Sequence, residues 1–202
     1  MPDGSAIVCV GVLFMQLSEK EIENFIFDDL INNGHHCRQK GLDLDIFKLM
    51  RFVDRNAIKI HWYRQLNLAP YGIADIVGFC RFKGSIYVEI IELKAVSIKS
   101  DDFDQILRYK KGVSHYLNNT FDLPSLDISC TLIGLGYESG FFIQNELQCK
   151  IANMSYGVGG MSFKTHRGEC KWEIQTNNSF RKVKPRTTLN LGNILRKEAN
   201  NA

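Results

Sequence analysis

The sequence predicts an α/β domain: a mixed β-sheet flanked by helices. Three observations carry that expectation. Ser18 with Glu21 three positions on is a capping box, and Ile22, Phe25, Ile26 and Leu30 follow at helical spacing. Two β-type runs, near 73–81 and 85–96, meet at Lys83-Gly84 as a hairpin. A further amphipathic helix after Ser100 leads into Ile128–Leu135, a strongly β run that fits a central strand. The order helix, three strands, helix, strand packs as one layer of sheet between helices.

In chain order, residues 1–17 read as an N-terminal extension. Ala6–Leu17 is apolar, but Asp3 precedes it instead of a basic segment and it is too short for a bilayer, so neither a signal peptide nor a span is expected. The first helix ends at Asn33-Gly34, where glycine suits the C-cap. His35-His36-Cys37 then reads as loop more than as a ligand cluster. Residues 43–54 carry a weaker helical pattern, Ala57–Tyr63 a strand, and Pro70-Tyr71-Gly72 a turn. Ser100 is the expected cap of the next helix, whose acidic first turn (Asp101, Asp102, Asp104) suits the helix dipole. Phe103, Ile106, Leu107, Val113 and Leu117 form its buried side, and Arg108, Lys110 and Lys111 its wet side. The core domain spans 18–140 and continues through 141–175, with a short helix near 144–153 and strands near 161–166 and 171–175. Residues 176–202 read as a basic, flexible tail.

Composition narrows the function. An apolar fraction of 45% in 202 residues supplies a core for one domain with at most a small appendage. The six cysteines are scattered without a C-x-x-C pair, which predicts free thiols, no zinc site and a reducing, cytoplasmic compartment. The net charge of +3 conceals an asymmetry: residues 164–202 hold nine Lys/Arg against three acids (+6), leaving 16 against 19 (−3) for the rest. A basic end on a mildly acidic body suits a phosphate-bearing partner. There is no Gly-rich phosphate loop, Ser/His/Asp set or cofactor fingerprint, which disfavours a small-molecule enzyme.

The chemistry concentrates in the hairpin. With Lys83-Gly84 as the two turn residues, Phe82 pairs with Ser85, Asp75 faces Glu92, and Ile73 faces Lys94. Alternation then puts Asp75, Val77 and Phe79 on one face with Val88, Ile90, Glu92 and Lys94, and Ala74, Ile76, Gly78, Tyr87, Glu89, Ile91 and Leu93 on the other. Facing side chains lie roughly 4.5–5.5 Å apart, where like charges repel. A divalent cation turns that repulsion into a ligand set, and Mg²⁺ prefers such oxygen ligands. Lys94, two residues from Glu92 and roughly 7 Å along the strand, reaches a nucleophilic water or a scissile phosphate.

Asp75, then Glu92-Leu93-Lys94, then Gln105 and Tyr109 on one helix face together resemble the PD-(D/E)xK nuclease superfamily. The resemblance covers residues 18–136, and Gln-x-x-x-Tyr is typical of its exonuclease-like and branched-DNA-cleaving members. The opening helix is similar to that of archaeal junction resolvases and mismatch-type endonucleases. Ala74 stands where the family name has Pro, a common departure. The resemblance implies a restriction-endonuclease-like α-β-β-β-α-β core with a small C-terminal extension. It also implies Mg²⁺-dependent hydrolysis (Mn²⁺ substituting) of DNA more than RNA, with a preference for branched or mismatched structures. Asp75, Glu92 and the Leu93 carbonyl become metal ligands, and Lys94, Gln105 and Tyr109 catalytic or substrate-contacting residues. Glu19 is the implied fourth acid on the first helix, with Glu23 in reserve, because Glu21 is taken by the capping box. Resolvase-like action further implies a homodimer, and no membrane partner is expected. A non-catalytic nucleic-acid-binding or assembly subunit on the same fold, or an RNase or defence nuclease, are the competing readings. His61, Trp62, Tyr63 and Arg64 suit either a nucleic-acid strand or the core.

Overall fold

The computed structural model describes residues 17–33, 60–120, 125–138, 149–157, 160–165 and 172–175. The expectations for 1–16, 35–54 and 176–202 lie outside them. Among the described residues, no helix is long and apolar enough to cross a membrane.

Helix α1 (Glu19–Asn33) precedes strands β1 (Ile60–Asn67), β2 (Ile73–Phe82) and β3 (Ser85–Leu93). Helix α2 (Ser100–Thr120) then leads to β4 (Leu126–Gly134), β5 (Lys150–Gly157), β6 (Gly160–Thr165) and β7 (Trp172–Gln175). The strands form one mixed seven-stranded sheet in sequence order. Both outer portions are antiparallel, and the β3–β4–β5 centre is parallel, with α2 as the crossover between β3 and β4. The mixed α/β class is therefore borne out, with β4 central.

The capping box forms: the Ser18 N–H donates to Glu21 Oε2 at 2.8 Å and the Glu21 N–H to Ser18 Oγ at 3.3 Å. Helix α1 covers one sheet face through Ile22, Ile26, Phe27 and Leu30, which pack with Trp62, Ile76, Cys80, Ile91 and Leu93. Helix α2 covers the other through Phe103, Ile106, Tyr109, Val113 and Leu117, packed with Val77, Phe79, Val88, Ile90 and Leu132. Two sequence expectations shift slightly. Phe25 and Leu107 are only half-buried, while Phe27 and Tyr109 take the deeper positions. Ser100 is the first residue of α2, and the Lys99 N–H just before it is capped by Asp102 Oδ2 at 2.8 Å.

The hairpin register is as expected, from Phe82↔Ser85 to Ile76↔Ile91. Lys83 (φ 49°) and Gly84 (φ 82°) are both left-handed, the conformation a two-residue turn needs to match the strand twist. Among the described residues the first strand runs Ile60–Asn67, overlapping the expected 57–63 at 60–63 and continuing beyond it, with 57–59 outside the described residues. Of the helix expected near 144–153, residues 144–148 lie outside the described residues, and Lys150–Asn153 are instead the start of β5, where Ile151 and Ala152 are buried in parallel pairing with β4.

Candidate active site

The two acids expected to face each other, Asp75 and Glu92, lie just past the last paired residues of the hairpin. Beyond Ile76↔Ile91, Asp75 Oδ2 accepts the Leu93 N–H at 2.9 Å, so its side chain replaces a ladder bond. Alternation breaks at the same level. Ala74, expected on the face opposite Val77, packs with Val77 and Phe79 in the α2-side core. On β1, Trp62 packs on the α1 side while Leu66 packs on the α2 side, and left-handed Gln65 (φ 51°) lies between them. The side chains around Asp75 are thus redirected to the end of the sheet, between the two helices.

Glu92 and Asp75 are nearly sealed from solvent, at 2% and 8% exposure. Glu92 Oε1 accepts from Lys94 Nζ at 2.9 Å, but buried Glu92 Oε2 has no hydrogen-bond partner. Lys94 Nζ also donates to Gln105 Oε1 at 3.2 Å and lies 3.7 Å from Asp102 Oδ1. Gln105 Nε2 in turn donates to Tyr109 Oη at 2.6 Å. Lys94, Gln105 and Tyr109 therefore form one chain of contacts from β3 to α2.

On the α1 side the order of the two candidate acids changes. Glu19 is exposed, whereas Glu23 is 2% exposed. Glu23 pairs with Arg64 Nε at 3.1 Å and Lys20 Nζ at 2.9 Å, and accepts from Gln65 Nε2 at 2.8 Å. The same Gln65 nitrogen donates to Asp75 Oδ1 at 3.1 Å. Glu23 is thus joined to Asp75 by hydrogen bonds, while Glu19 acts on the site through its charge. Glu23 and Phe27, four apart, share the inward face. Gln65 and Asp102 carried no sequence signal as members of the site.

Burial lifts the Asp75 carboxyl to about 6, opposed by the Leu93 N–H and reinforced by Glu19 and Glu23. Burial likewise lifts Glu92 to about 8, with Asp75 adding to the rise and Lys94 opposing it. Burial works against the Lys94 ammonium, but Glu92 outweighs it and holds Lys94 above the usual lysine range. These shifts pull on the Glu92–Lys94 pair in opposite senses, since a protonated Glu92 would leave Lys94 without its main counterion. The orphaned Oε2 favours the direction for Glu92: without a further positive partner it tends to keep a proton. Burial also raises the Tyr109 hydroxyl.

Of the remaining candidates, Trp62 joins the core, Arg64 is bound to Glu23 and stacks over Phe27 with its guanidinium 5.4 Å from the ring centre, and Tyr63 makes an edge contact with Phe79. Glu89 faces away from the site, as the register implied, and accepts from Ser129 and Thr131. Among the described residues no group of three or more His, Cys, Asp or Glu side chains gathers as a chelate. The available oxygen set is two carboxylates with backbone and water, a set that Mg²⁺ uses.

Gly72 fixes one wall. Its φ is +119°, and a Cβ there would lie 2.8 Å from Tyr109 Cε1. Gly72→Ala is expected to displace the Tyr109 ring, strain the turn and cost about 1–3 kcal/mol. A melting curve checks this, with an unchanged Tm the contrary result.

No protein-family model matches this chain, and neither does any curated protein or solved structure.

Proposed function

We propose that this chain is a divalent-cation-dependent nuclease on a restriction-endonuclease-like core, hydrolysing phosphodiester bonds of DNA. One observation carries the reading: Glu92 Oε2 is buried without a partner beside Asp75, a second buried carboxylate. Two such groups are costly as structure alone, because each loses its hydration and they repel. Asp75 and Glu92 would hold a cation, which would give Glu92 Oε2 the partner it lacks. Bound there, Mg²⁺ or Mn²⁺ supplies charge relief at the phosphoryl oxygens and acidifies an attacking water.

The chain's own groups do the rest. Lys94 is held by Glu92 and Gln105 with the Asp102 carboxylate nearby, which leaves its third N–H to direct at the water or the phosphate. Tyr109 accepts from Gln105, which leaves its own O–H to donate to a non-bridging oxygen. The resemblance of the first helix supports a structure-selective endonuclease and a two-fold dimer. The +6 charge of residues 164–202 supports a nucleic-acid partner. Buried free thiols at Cys80, Cys130 and Cys149 support a reducing cytoplasmic compartment.

The test is a panel of labelled single-stranded, duplex, mismatched and four-way-junction DNA with matching RNA, in Mg²⁺, Mn²⁺ or EDTA. Cation-dependent cutting strongest on branched or mismatched DNA is expected. Cutting confined to RNA would replace the DNA reading, and binding without cutting of any substrate would replace the enzyme with a non-catalytic subunit.

A further inference from the structure

We infer that Gln65 is a positioning residue that sets the ligand geometry of Asp75 by tying it to α1. The inference rests on the cation reading above and adds a residue to it. Three observations point to Gln65. Its backbone is left-handed (φ 51°), a region that non-glycine residues adopt at a cost and that clusters where function demands it. Its amide nitrogen donates both to Glu23 Oε2 at 2.8 Å and to Asp75 Oδ1 at 3.1 Å. Glu23 is itself anchored by buried Arg64, so the tie leads to a rigid part of α1.

The strained backbone is what delivers the side chain. On strict alternation Gln65 would lie with Tyr63 against the α2-side core, where Leu66 now packs fully buried. The left-handed turn exchanges the two, sending Leu66 into the core and the Gln65 amide to the gap between Glu23 and Asp75. With Oδ2 held by the Leu93 N–H and Oδ1 by Gln65, both oxygens of Asp75 are oriented before any cation arrives.

Gln65→Gly separates this role from a structural one. Glycine accepts the left-handed backbone without strain, so the variant keeps the fold while losing the amide. Metal-free Tm and Mn²⁺ affinity by calorimetry are measured for both proteins. A cooperative melt, with Tm lowered at most modestly by the lost amide bonds, and Mn²⁺ affinity reduced about 10- to 100-fold are expected. Equal Mn²⁺ affinity in the two proteins would overturn the role of Gln65 while leaving the cation site intact. A wild-type protein that takes up no Mn²⁺ would instead overturn the cation reading, and this inference with it.

Discussion

Glu92→Gln is expected to abolish cleavage and at the same time raise the Tm of the cation-free protein at pH 8. The substitution preserves shape but removes a charge that sits 2% exposed, opposite Asp75. In the unfolded chain Glu92 and Asp75 titrate near their ordinary values, about 4. In the folded protein they are lifted to about 8 and about 6 by burial. The folded state therefore binds their protons more tightly, and their contribution to stability is full below the unfolded values and is lost as pH rises through about 6 and then about 8. Two results follow for wild type without cations: a lower Tm at pH 8 than at pH 5, and recovery at pH 8 on adding Mg²⁺ or Mn²⁺, since a ligand that binds only the folded state stabilises it. In Glu92→Gln the loss between pH 5 and pH 8 shrinks and the cation response disappears. Melting curves at both pH values check this. A wild-type Tm that rises from pH 5 to pH 8 without cations, or a Glu92→Gln protein that melts lower than wild type at pH 8, would contradict the view that these acids are kept for function at a cost in stability.

Lys94→Ala carries the second large effect. The ammonium is held by two acceptors, Glu92 Oε1 on β3 and Gln105 Oε1 on α2, with the Asp102 carboxylate 3.7 Å away, which leaves one N–H free. Removing a fixed donor aimed at developing charge costs on the order of 10²–10³ in rate. Stability should change little or improve at acidic pH, where Glu92 is protonated and has less need of a counterion. The informative comparison is Gln105→Leu, which leaves Lys94 charged but removes its link to Tyr109. An intermediate loss in kcat is expected there, and a loss equal to Lys94→Ala would mean that Gln105 acts directly on substrate.

Much of this site was legible in the sequence because a two-residue turn fixes a hairpin register. Lys83-Gly84 alone places Phe82 on Ser85, and counting outward brings Asp75 level with Glu92. Helical spacing likewise put Gln105 and Tyr109 on one face of α2, and the Ser18–Glu21 box set the start of α1. Counting could not show that pairing would stop at Ile76↔Ile91, or that Ala74 and Leu66 would switch faces, because a left-handed residue such as Gln65 breaks the period-two pattern without any local signal in its side chain. Glu23 was ranked behind Glu19 for a related reason. Its burial depends on Arg64, a partner 41 residues away in sequence, and no local pattern reports that pairing. Residues 150–153, where the local pattern suggests helix, are strand because their burial comes from parallel pairing with β4, a long-range contact that overrides weak local preference.

The most direct single measurement is cleavage of labelled DNA by wild type and Lys94→Ala side by side, with Mg²⁺ and with EDTA, after both are shown to melt cooperatively. Products from wild type with Mg²⁺ alone, and none or a hundredth as much from Lys94→Ala, are the expected result. Equal cleavage by the two proteins, or cleavage by wild type that persists in EDTA, would contradict a cation-and-lysine nuclease site at Asp75, Glu92 and Lys94.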